Sequence, residues 1–65
     1  MPTIETLITS FEMTDVLIDA GCSRDDYIVI TMTRGWIMDE LEARNPQAFG
    51  SWIDRGGERP REFFL

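Results

Sequence analysis

The chain has 65 residues, among them twelve carboxylates, six arginines, no lysine, no histidine and one cysteine, for a formal net charge of −6 at pH 7. Polar catalysis near neutral pH draws mostly on His, an activated Cys or a perturbed Lys, so this inventory argues against an enzyme. It argues equally against non-specific attraction to DNA phosphates or anionic lipid, which needs a surplus of Lys and Arg.

The length allows one small domain, and a chain of this size buries only about 60% of the surface its unfolded form exposes. Apolar residues make up 43% of the sequence, seven of them Phe, Trp or Tyr, and Cys22 has no second cysteine to pair with in the chain. No run approaches the roughly 18 consecutive apolar residues of a membrane span. The start, Met1-Pro2-Thr3-Ile4-Glu5, lacks the positive end of a secretory signal. One cysteine without a signal fits a reducing, cytoplasmic setting. Charge divides unevenly: residues 1–54 carry ten carboxylates and three Arg, whereas 55–65 carry three Arg and two Glu. The expectation is a single acidic domain over 1–65 with an Arg/aromatic tail at 58–65.

The first predicted element is a helix over 4–20. Thr3 can cap it, Glu5 falls in its first turn and Gly21 follows its end. Ile4, Leu7, Phe11, Thr14 and Ile18 step 3-4-3-4, an apolar seam interrupted once by Thr14, and Leu17 widens it on one flank. Glu5, Glu12, Asp15 and Asp19 occupy a neighbouring acidic stripe.

Ser23 opens the second segment, with Asp25 and Asp26 placed where a first helical turn favours carboxylates. The stretch from Tyr27 to Thr33 reads two ways. At helical spacing Tyr27, Ile30, Ile37 and Leu41 share a face, and one helix runs from Arg24 to Arg44. At period two, Ile28, Ile30 and Met32 alternate with Tyr27, Val29, Thr31 and Thr33, a β-rich strand pattern. A lone strand needs a partner, either the chain end or a second subunit. Beyond Trp36 the pattern is helical again, and Asn45-Pro46 stops one helix and starts the next. Ala48, Phe49, Trp52 and Ile53 form a compact apolar face, and Gly56-Gly57 ends it. The predicted fold is an all-α bundle of three to four short helices. The alternative is α+β, with one strand at 27–33 pairing in a homodimer. Trp36 and Trp52 are both expected in the core.

Two DNA-binding patterns are present in outline. Leu17, Gly21, Tyr27 and Ile30 roughly match the buried positions of a helix-turn-helix, but Asp25 and Asp26 would then face phosphates. A strand at 27–33 followed by two helices resembles the order of a ribbon-helix-helix dimer, with no basic residue on the ribbon before Arg34. Metal and thiol chemistry lack support. Asp25-Asp26 and Asp39-Glu40 sit in no calcium-loop spacing, and Cys22, with no His to activate it, reads as a buried spectator. No cofactor is implied.

What remains is binding. The expected function is a non-catalytic protein-binding module, an inhibitor or adaptor of the kind phages and mobile elements encode, with a small dimeric DNA-binding regulator as the alternative. The candidate contact residues are an acidic face, Glu5, Glu12, Asp15, Asp19, Asp39 and Glu42, and a tail, Arg59, Arg61, Phe63, Phe64 and Leu65. The acidic face would select a partner with a basic surface, or mimic nucleic acid toward one. The tail has a second reading, in which it folds back to complete the core.

Overall fold

A computed structural model describes all 65 residues. Four helices follow one another: α1 (Ile4–Ala20), α2 (Arg24–Arg44), α3 (Pro46–Asp54) and the short α4 (Arg61–Phe64). There is no strand, so the fold is a small all-α bundle.

Each of the first three helices starts where a side chain can satisfy an orphan N–H. The amides of Thr6, Asp26 and Ala48 donate to Thr3 Oγ1, Ser23 Oγ and Asn45 Oδ1 at 3.1, 3.2 and 3.1 Å. Pro46 occupies the first turn of α3, where its missing N–H costs nothing. At the other end of α3 the Gly57 N–H reaches Trp52 O (2.9 Å) and the Gly56 N–H reaches Ile53 O (3.0 Å). That paired closure requires a left-handed residue, and Gly56 adopts φ +98°.

The strand alternative at 27–33 is overturned: those residues lie inside α2. A lone strand in a chain this short would leave its backbone unpaired, whereas a helix satisfies its own. The threonines that favour strands bond backward here, Thr31 Oγ1 to Ile28 O and Thr33 Oγ1 to Val29 O, both at 2.9 Å.

α1 and α2 form an antiparallel hairpin. Arg34, midway along α2, reaches Asp15, and Arg44 at its end donates to the Pro2 carbonyl near the start of α1. α3 and α4 pack against the open end of this hairpin only. The core is therefore Leu7, Ile8 and Phe11 from α1, Ile37 and Leu41 from α2, and Trp52 from α3. Trp52 is fully buried and meets Phe11, Phe49 and Phe64 edge to face, with centroids 5.3, 5.8 and 5.9 Å away. Its indole N–H finds no acceptor there.

Trp36 corrects the expectation placed on it. It is 56% exposed, because Ile37, one residue and about 100° further round the helix, takes the inward position. Leu17, Tyr27 and Ile53 are likewise exposed although their spacing placed them on apolar faces, and Ile8, absent from the predicted seam, is fully buried.

Candidate functional site

No residue from Asp15 to Trp36 is buried. Past Thr14 and Arg34 the hairpin runs on without a third layer, because α3 has nine residues and α4 only four. This uncovered half exposes large apolar side chains among its carboxylates. From α1 it exposes Val16 and Leu17, and from α2 Tyr27, Ile28, Val29, Met32 and Trp36.

Part of this surface is continuous. Leu17, Ala20 and Gly21 line a groove with Val29 and Ile30 across the hairpin turn, and Cys22 and Asp26 form its polar edge. Val29 is shared with a second depression made by Met32, Thr33 and Trp36. Val29, Met32 and Trp36 follow one another at helical spacing on the side of α2 away from Ile37 and Leu41, with Ile28 beside them. Val29 is 62% and Met32 71% exposed. Since the apolar residues of α2 are spread around the helix among charged ones, its packing covers one face and leaves apolar side chains on the other in water.

The boundary between covered and uncovered halves is set by Arg34. Its Nη1 donates to the buried Thr14 Oγ1 at 2.7 Å and pairs with Asp15, while its guanidinium lies 4.1 Å from the Phe11 ring centroid. Thr14 also donates to Phe11 O, so the single polar interruption in the α1 seam is fully satisfied.

The predicted acidic face divides in two. Glu5 and Glu12 both face Arg61, at 3.9 and 2.8 Å, and Asp15 pairs with Arg34. The Arg61 hydrogen bond holds the Glu12 carboxyl below its ordinary range, against a smaller opposing effect of burial. Asp19, Asp39 and Glu42 have no ion-pair partner, and neither do Asp25, Asp26, Asp54 and Glu58. Among the cations only Arg24 and Arg55 are unpaired.

The predicted tail residues are mostly engaged within the chain. Phe63 and Phe64 pack on the core, Arg61 spans to Glu12 and Thr9, and Arg59 pairs with Glu62. Arg59 makes the turn into α4 at φ +53°, a strained position for a side-chain-bearing residue. Leu65 alone points away, 62% exposed. Cys22 is exposed at the α1–α2 turn, not buried as expected, since the turn lies at the uncovered end. No three carboxylate or thiol groups converge as a cation site requires. No helix is long and apolar enough to cross a membrane.

Sequence reasoning missed the outer face of α2, although one signal was available. Asp25, Met32 and Asp39 recur every seven residues, which places Val29, Met32 and Trp36 on a stripe separate from Ile30, Ile37 and Leu41. No protein-family model, curated sequence or solved structure matches the chain.

Proposed function

We propose that this chain is a non-catalytic protein-binding module, acting as an inhibitor or adaptor, and that it binds through the uncovered half of the α1–α2 hairpin. The observation that carries this reading is the continuous apolar surface of Leu17, Ala20, Ile28, Val29, Met32 and Trp36 with no third layer over it. At these exposures it presents on the order of 500 Å² of apolar area, the upper range for the largest patch on a typical monomer. Exposed Trp and Met are enriched at protein contacts, and Met adapts its shape to what it meets.

The DNA-binding alternative has less in its favour. Leu17 and Tyr27, which a helix-turn-helix would bury, are exposed, and α2 opens with Asp25 and Asp26. A tail-centred contact also has less in its favour, because Phe63 and Phe64 are partly buried against the core and only Leu65 is largely exposed.

Affinity capture from bacterial lysate tests the reading, with an N-terminal tag and Met32→Gln as the control. Recovery of one protein near stoichiometry by the native chain, lost with Met32→Gln, is the expected result. Recovery unaffected by that substitution would place binding elsewhere on the molecule.

A further inference from the structure

Resting on that reading, the geometry points to a basic amphipathic helix of another protein as the occupant of this face, lying along the Leu17–Val29–Met32–Trp36 surface with its cations toward Asp25, Asp26 and Asp39. Three observations select this occupant.

The first is shape. Val29, Met32 and Trp36 run along α2 over two turns, and Leu17 and Ala20 of α1 raise one wall beside Val29. A groove between two helices that continues as an apolar stripe along one of them accepts the apolar stripe of a third helix. Added there, that helix would cover the side of α2 turned away from Ile37 and Leu41, which α3 does not reach.

The second is charge. Asp25 and Asp39 lie at the two ends of the stripe, each seven residues from Met32, so they stand about 21 Å apart along α2. Asp26 lines the groove. None of the three is neutralised within the chain, whereas Glu5, Glu12 and Asp15, nearer the core, all are. Arg24 is the one free cation nearby. An apolar stripe ended by unpaired carboxylates complements a helix that is apolar on one side and carries Lys or Arg beside it.

The third is size, which argues against a second copy of this chain. Two such patches facing each other would bury on the order of 1,000 Å² in total, below the 2,000 Å² or more typical of obligate homodimers. A second copy would also bring its own Asp25 and Asp39 to the same seam, in a chain of net charge −6. In an antiparallel α2–α2 arrangement centred on Met32 those carboxylates meet each other.

The test uses the full chain and two designed helical peptides of about four turns with identical apolar stripes, one bearing Lys and the other Glu at its polar positions. Binding is read from the emission of exposed Trp36, with Trp52 buried and unresponsive, and self-association from sedimentation of the chain alone. The Lys peptide is expected to bind at least about tenfold tighter than the Glu peptide, and to weaken about tenfold between low and high salt. Met32→Gln should weaken it by about tenfold while leaving the helical signal unchanged, because Met32 makes no core contact. The double substitution Asp25→Asn and Asp39→Asn should flatten the salt dependence while binding persists. Equal binding of both peptides, or of neither, overturns the inference. So does a dimer of the chain alone that Met32→Gln dissociates, which would make the occupant a second copy. If neither peptide binds and lysate capture still depends on Met32, only the basic-helix inference falls. If capture ignores Met32, the reading of the face itself falls.

Discussion

The guanidinium carbon of Arg34 stands 4.1 Å from the centroid of the Phe11 ring, at the point where the covered half of the α1–α2 hairpin gives way to the uncovered half. The same side chain holds Thr14 and Asp15, so one residue joins the aromatic core, a buried hydroxyl and a surface carboxylate. Arg34 has a planar fork and a polarisable face, and both are used.

Replacing Arg34 by Ala should therefore cost about 1–2 kcal/mol, combining a charged hydrogen bond with a partly exposed cation–π contact. For a chain this small that lowers the melting temperature by roughly 7–15 °C. Arg34→Lys keeps the charge but loses the fork and should fall between the two. Asp15→Asn removes only the exposed pair and should cost less than about 1 kcal/mol. Thermal unfolding of the three variants checks the order; an Asp15 effect equal to that of Arg34 would contradict it.

Trp52 is the centre of the core, and Trp52→Ala should cost about 3–5 kcal/mol, enough to unfold most of a marginal domain. Trp52→Phe should cost much less. It gives up indole volume but also removes an N–H that has no acceptor in the folded chain. Urea titration of both variants gives the comparison, and equal destabilisation would mean the N–H is satisfied in solution.

Deleting Phe63, Phe64 and Leu65 should lower the melting temperature by several degrees, because Phe63 and Phe64 pack on the core and Phe64 meets Trp52 edge to face. Deleting Leu65 alone should leave it almost unchanged, as that side chain is mostly in solvent. If the longer deletion melted like the intact chain, the tail would be detached from the core and free for a partner.

The Glu12–Arg61 pair predicts a pH dependence. The Glu12 carboxyl is held below its ordinary value of 4.5 in the folded chain by the Arg61 hydrogen bond. A carboxyl depressed by folding stabilises the folded state fully above its unfolded value, and the contribution disappears as pH falls through the folded value. The melting-temperature gap between the native chain and Glu12→Gln should thus be constant near neutral pH and close progressively in acid below 4.5. It should also shrink with salt, since the pair is solvent-exposed. A gap that widened in acid would reverse the assignment.

Gly35 lies within α2 with open space where a Cβ would stand. Gly35→Ala should raise stability by about 0.5–1 kcal/mol, the usual difference in helix propensity and unfolded-chain entropy. Loss of stability on this change would show that the outer face of α2 is closely covered in solution.

Local features of the sequence by themselves determined where the helices begin and end. Thr3, Ser23 and Asn45 each carry an oxygen that closes an N-terminal amide, and Gly21 and the Gly56-Gly57 pair admit backbone angles that other residues resist. These are contacts over three or four residues, so they survive without knowledge of the rest. The acidic charge and the absence of His and Lys are likewise properties of composition. The tertiary structure decided what α2 does. Its apolar residues lie all round the helix, so periodicity could not choose between Ile37 and Trp36 as the inward residue, nor between helix and strand at 27–33. The choice came from what reaches the hairpin: α3 and α4 are together long enough to cover only its open end, and Arg61 closes onto Glu12 across 49 residues of sequence. Coverage depends on the lengths and angles of distant elements, which no local pattern encodes, and the half left uncovered is where the candidate site lies.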